Sequence, residues 1–146
     1  MKKIFLAAVF ALVSILNFTS CSKDDELTEY DEYINKYKSD YYVKYKIEAG
    51  NSTYFCQFSI GYINSNGEFV HKKYGENTTD FHGQKSYSDE FICGPFKYND
   101  NIVLKISNEQ NITYKTLEIY VSKDNSPFSL QKNGNNVKMI TYTIDF

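Results

Sequence analysis

Tyr41-Tyr42-Val43-Lys44-Tyr45-Lys46-Ile47-Glu48 decides the fold class of this 146-residue chain. Tyr41, Val43, Tyr45 and Ile47 alternate with Tyr42, Lys44, Lys46 and Glu48. Successive side chains of a strand point to opposite faces, so a period of two predicts one face in a core and the other in water. Gly50-Asn51 ends this strand. The next run sets Tyr54, Cys56, Phe58, Ile60 and Tyr62 on one face, with Gln57, Ser59 and Gly61 opposite. Asn66-Gly67 then predicts a tight type I′ hairpin turn into Glu68-Phe69-Val70.

The same alternation continues to the end of the chain. Residues 71–85 are polar and turn-rich and read as a long loop. Ser86 to Phe96 forms a weaker strand, with Tyr87, Phe91 and Cys93 in phase and Gly94-Pro95 as its stop. Ile102, Leu104 and Ile106 mark a clear strand. Leu117, Ile119 and Val121 mark another, with Thr116, Glu118 and Tyr120 facing outward. Phe128 and Leu130 lead to a second expected hairpin at Asn133-Gly134, returning through Ile140, Tyr142, Ile144 and Phe146. Seven to eight short strands without helical periodicity must cover their apolar faces with another sheet. The expected fold is therefore all-β, an antiparallel Ig-like β-sandwich over residues 41–146, with a small closed barrel as the competitor.

Ahead of this domain the pattern differs. Lys2 and Lys3 precede an apolar run from Ile4 to Leu16, which suits a signal peptide and is too short for a good membrane span. Small Thr19 and Ser20 then lead into Cys21. This arrangement resembles the lipobox of bacterial lipoproteins, although Phe18 stands where a branched aliphatic residue is usual. The resemblance implies cleavage after residue 20, lipidation of Cys21 and anchorage to a membrane through that residue. Lys23-Asp24-Asp25 resembles the export signal that takes lipoproteins of the Bacteroidota to the outer face of the outer membrane. Residues 21–40 then form a tether. Leu27, Tyr30, Ile34, Tyr37 and Tyr41 recur at helical spacing within it, with acidic residues early and Lys36 and Lys38 late. A short helix and an unstructured linker are both compatible with that pattern.

Strand patterns over 41–146 also resemble small secreted Ig-like domains of bacteria, including the extracytoplasmic part of the small mycobacterial membrane proteins. The matching pieces include Tyr42-Val43-Lys44-Tyr45, Ile60-Gly61-Tyr62 and Leu117-Glu118-Ile119-Tyr120-Val121. Lys123-Asp124-Asn125 departs from the pattern, standing where a glycine turn is usual. That resemblance implies an accessory role beside an envelope transporter.

Composition narrows the function classes. Loss of Lys2 and Lys3 with a leader takes 16 basic residues to 14, against 18 acidic ones, for a formal charge of −4. All the basic residues are lysines. Arg is the side chain best suited to phosphate and base recognition, so nucleic-acid binding is not expected. No Gly-rich phosphate loop, nucleophile elbow or zinc-protease helix occurs, so the chain is read as a non-enzyme without a cofactor. A hydrolase with an unrecognised site is the alternative.

Cys56 and Cys93 both fall in phase with apolar faces. They are candidates for a disulfide worth about 3–4 kcal/mol on chain-entropy grounds, or for two separately buried thiols. His71 and His82, with Glu76 and Asp80 near them, match no metal-ligand spacing. Asp80, Asp89, Glu90, Asp100 and Asp124 form no calcium-loop run. No metal is expected. Outward Tyr42, Tyr114 and Tyr120 are the candidate binding surface, since exposed aromatic rings stack on sugars or anchor protein partners.

Overall fold

The computed structural model describes residues 29–75 and 85–146. Cys21, Lys23, Asp24 and Asp25 lie outside the described residues, as do Glu76, Asp80 and His82. One helix, α1 (Glu29–Lys38), precedes eight strands: β1 (Tyr41–Gly50), β2 (Gln57–Ile63), β3 (Phe69–Tyr74), β4 (Ser86–Phe96), β5 (Asn101–Gln110), β6 (Tyr114–Lys123), β7 (Ser129–Asn135) and β8 (Met139–Thr143). They form two separate antiparallel sheets, ordered β4-β1-β6-β7 (sheet 1) and β3-β2-β5-β8 (sheet 2). The molecule is an open, eight-stranded antiparallel β-sandwich and not a closed barrel.

The period of two is realised where the sequence displays it. Tyr41, Val43, Tyr45 and Ile47 are buried together with Leu117, Ile119 and Val121 from sheet 1. Phe58, Ile60, Ile102, Leu104, Ile106 and Ile140 face them from sheet 2. Burial of such side chains stabilises the fold by roughly 1.5–3 kcal/mol each. The Tyr45 hydroxyl, carried into this core, donates to the Ile63 carbonyl at 2.8 Å. Along the seam between edge strands β3 and β4, rings fill the space: Phe58 stacks on Tyr74 at 4.8 Å, and Phe91 packs on Tyr62 and Tyr45 at 4.5 and 5.3 Å. Lys72 and Asp89 pair across this seam at 2.5 Å, and the Tyr74 hydroxyl also donates to Asp89. Inward-pointing charges on edge strands discourage pairing with another chain.

Four local features differ from the sequence reading. Tyr54 is 65% exposed, because residues 51–56 are irregular and β2 starts only at Gln57. Asn51 directs that loop, its Oδ1 accepting from the backbone N–H groups of Thr53 and Tyr54. β3 runs on to Tyr74, so His71 sits in a strand, where its ring meets Phe69 at 5.0 Å. β4 continues through Gly94-Pro95 to Phe96, which an edge strand tolerates.

The fourth difference concerns turns. At Asn66-Gly67 only Gly67 has positive φ, and Asn64 pairs with Glu68 around a three-residue loop. The Asn64 side chain selects that loop by accepting from the N–H groups of Asn66 and Glu68, both at 2.9 Å. Asn133 and Gly134 are not a turn at all; they pair with Glu118 and Leu117 inside the β6–β7 ladder. Val137 packs over Gly134, where a Cβ would collide, and the chain crosses to sheet 2 only after Asn136. The type I′ geometry occurs instead at Asp124-Asn125, both at positive φ, with Ser126 N–H donating to the Lys123 carbonyl at 2.8 Å. Asp and Asn tolerate this conformation through local hydrogen bonding.

The segment that leads into β1 is helical over Glu29–Lys38. Tyr37 packs edge-on against Tyr98 at 5.1 Å. Ser39 Oγ donates to the Asn35 carbonyl, capping the last turn. Asp40 and Asp124 exchange two hydrogen bonds of 2.9 Å, which pins the start of β1 to the β6–β7 turn.

Candidate functional site

Solvent-facing residues of sheet 1 line up in rows, set by the unbroken β1–β6 ladder and, at β7, by a bulge at Gln131 that brings Leu130 opposite Tyr120. Ile92, Lys44, Tyr120 and Leu130 form one row across the sheet, from β4 through β1 and β6 to β7. Ile92 and Leu130 at its ends are 56% and 48% exposed. Lys44 lies over the Tyr120 ring at 4.8 Å and over Phe128 at 5.3 Å. Its ammonium reaches Glu90 at 3.7 Å while its stem covers aromatic surface. Beside this row, Tyr42, Ile92, Ser122, Asn125, Ser126 and Phe128 line a shallow groove of about 270 Å³.

The next row, Glu90-Lys46-Glu118-Asn133, is charged. Lys46 bridges Glu118 at 3.4 Å and Glu48 at 3.5 Å. Tyr120 donates its hydroxyl to Glu118 at 3.0 Å, a bond to the neutral phenol that raises the Tyr120 pKa. Of the three tyrosines read as a binding surface, Tyr42 and Tyr120 therefore share one end of the face. Tyr114 pairs with Gly50 at the far end, six residues and about 20 Å along β6 from Tyr120. One surface does not contain all three.

The cysteines also separate. Cys56 Sγ donates to the Lys85 carbonyl at 3.3 Å, just before β4 begins. Cys93 lies eight residues along that strand, opposite Val43, or about 25 Å away at the rise of an extended chain. A disulfide needs Cα atoms within about 4.4–6.8 Å, so the two sulfurs are not bonded to each other. Burial raises both thiol pKa values, opposed at Cys93 by a hydrogen bond with Ser65. Neither is poised as a thiolate nucleophile.

The carboxylates of the described fold are largely engaged. Burial works against ionised Asp89, but Lys72 and the Tyr74 hydroxyl outweigh it and hold the carboxyl below its ordinary range. Among the described residues, no three His, Cys, Asp or Glu side chains gather as a metal centre. No described helix is long and apolar enough to cross a membrane.

A second surface, absent from the sequence reading, lies on the outer face of sheet 2. Gln57 pairs with Gln110 and Ser59 with Ser107, so Phe58 stands opposite two residues, Asn108 and Glu109. This is a β-bulge, and Asn108 takes the left-handed conformation that it requires, at φ 53°. The extra residue reverses the alternation. Asn108 joins Ser107 on the outer face, its amide 3.4 Å from Ser59 Oγ. Glu109 turns inward and pairs with Lys115, at 17% and 11% side-chain exposure. Gln110 returns to the outside. Two adjoining clefts of about 190 and 180 Å³ share Gln57 and Gln110. The sequence does hold a signal for this corner: the alternation of β5 breaks after Ile106, in Ser107-Asn108-Glu109-Gln110-Asn111, and Asn111 too has positive φ.

No protein-family model, no curated protein and no solved structure matches this chain.

Proposed function

We propose that this chain is a lipoprotein, anchored through Cys21 on the outside of the outer membrane, whose sandwich is a non-enzymatic binding module for an envelope protein. The observation that carries the reading is the row Ile92-Lys44-Tyr120-Leu130, which leaves two exposed aliphatic side chains on either side of a half-buried ring, next to a charged row. Large apolar groups gathered on one face, rimmed by charge, are characteristic of protein contact sites.

The position of the row supports an envelope partner. It sits at the end of β1 nearest the tether, two to four residues after Asp40. Seven residues lie between Cys21 and the start of α1 at Glu29, eight steps along the chain with a reach of at most about 28 Å. A partner on this face would itself lie close to the membrane. The pairing of Asp89, Glu118 and Glu109 with lysines favours binding over hydrolysis, because a catalytic carboxylate must be available to substrate.

Photo-crosslinking on intact cells tests the reading. A crosslinking amino acid at position 92 or 130 should give a discrete adduct, and one at position 88 or 116, on the polar end of the same face, should not. Equal yields at all four positions would remove the partner face. Changing Lys23-Asp24-Asp25 to alanines should retain membrane attachment and lose accessibility to added protease, whereas unchanged protease sensitivity would defeat the surface display.

A further inference from the structure

We infer that the bulged corner of sheet 2 is a second binding site, and that its ligand is a neutral saccharide. Three carboxamide side chains, Gln57, Asn108 and Gln110, are exposed on one patch and converge on the first cleft, and Gln57 and Gln110 also line the second. A carboxamide donates and accepts at once, as does each hydroxyl of a sugar, and it carries no charge. Ser59, buried to 5% exposure yet bordering the cleft, adds a hydroxyl held by the Asn108 amide. Phe55, 44% exposed, lines the adjoining cleft and offers an apolar ring for the C–H face of a pyranose. Together the clefts reach the lower part of the roughly 300–1,000 Å³ range of small-ligand sites.

The construction of this corner argues that the cluster is not incidental. A regular strand would send Asn108 into the core and leave Glu109 outside. The bulge brings Asn108 out, and the Glu109–Lys115 pair holds the turned-in residue in place. Bulges recur beside binding sites because they re-aim side chains in this way. Glu109, the acidic side chain of β5, is committed to Lys115, and no described carboxylate lines either cleft; the charged group at the first cleft is Lys73, whose ammonium can donate to a sugar hydroxyl.

This site depends neither on the lipid anchor nor on the partner face of sheet 1, and its test uses the purified full-length chain in detergent. The chain is applied to an array of neutral hexose, pentose, deoxyhexose and N-acetylhexosamine oligosaccharides, with uronate and sialylated glycans beside them. Affinities for the best ligand are then measured by calorimetry. The expected result is binding to one or more neutral glycans, weakened roughly tenfold or more by Gln57→Ala and by Gln110→Ala, and unchanged by Tyr120→Ala. Both glutamines are exposed, so the variants should keep the wild-type near-ultraviolet spectrum; should either lose it, Phe55→Ala in the irregular loop carries the same expectation. Absence of binding across the array, binding confined to acidic glycans, or affinity indifferent to these substitutions would overturn the proposal. Failure of crosslinking at positions 92 and 130 with glycan binding intact would remove the partner face alone.

Discussion

The outer face of sheet 1 and the bulged corner of sheet 2 use the same antiparallel pairing and present opposite chemistry. On sheet 1 the ladder between β1 and β6 runs in unbroken register for ten residue pairs, from Tyr41 opposite Lys123 to Gly50 opposite Tyr114. Across β1 and β6 side chains therefore fall into rows whose chemistry follows directly from alternate residues, and only at edge strand β7 does a bulge at Gln131 set which residue, Leu130, completes the row. At the corner between β2 and β5 one extra residue interrupts the ladder. There the surface is set by which residue occupies the bulge. A regular face is a readout of sequence, whereas an irregular one is a decision of the fold.

Deletions separate the two regions most sharply. Removing Lys44 shifts half of central strand β1 by one residue and moves either Tyr41 and Val43 or Tyr45 and Ile47 from core to solvent. We expect no cooperative unfolding transition for that variant. Removing Asn108 should do the reverse of damage on that scale: β5 becomes regular, Glu109 still faces inward and Gln110 outward. A cooperative transition within about 1 kcal/mol of wild type is expected for it in urea. Loss of folding on deleting Asn108 would show that the bulge is required for the sandwich itself.

Next in size is the pair behind the bulge. Glu109→Ala leaves the Lys115 ammonium buried without its partner, and should lower unfolding free energy by about 3 kcal/mol in a urea titration. Replacing both residues with leucine should recover much of that loss, since a well-packed apolar pair avoids desolvating two charges. No recovery would mean that the pair orders the corner by more than neutralising charge.

The edge seam should govern acid sensitivity. The folded Asp89 pKa is lowered below its unfolded value, so this carboxylate contributes stability above the unfolded pKa, and the contribution fades as pH falls through the folded one. Asp124, held low first by Ser39 and then by the Asp40 backbone N–H, acts in the same direction. Thermal unfolding should therefore show stability declining below about pH 4, with a shallower decline in Asp89→Asn. An unchanged pH profile would place the acid-sensitive groups elsewhere. The smallest effect belongs to the sheet 1 row. Ile92→Ser and Tyr120→Ala should each change stability by about 0.5 kcal/mol or less while abolishing the crosslink expected at Leu130.

Residues with simple periodicity were legible from the start. The core faces of β1, β5 and β6 are those their alternation indicates, and α1 follows the helical spacing of the tether. Turns were less so. Asn66-Gly67 and Asn133-Gly134 carry the same dipeptide, yet one closes a three-residue loop and the other lies inside a strand. Conversely, the type I′ turn occurs at Asp124-Asn125, without glycine. A dipeptide supplies only its own φ preferences; side chains such as Asn64 and distant neighbours such as Val137 decide between the geometries it permits.

The candidate sites divide along the same line. Tyr42 and Tyr120 could be assigned to an outward face because strand parity is a local property. Their closeness, and the 20 Å that separates Tyr114 from them, depends on register and length. The cysteines teach the same lesson: two inward positions on two strands need not meet, because a shared core spans the full length of a sandwich. Sequence alone determined the all-β class, the core-facing positions of β1, β5 up to Ile106 and β6, and the outward tyrosines, since these follow from backbone geometry with a period of two. Tertiary structure decided which strands became neighbours, where Asn108 broke the alternation and which polar groups converged, since those depend on contacts between residues far apart in the chain.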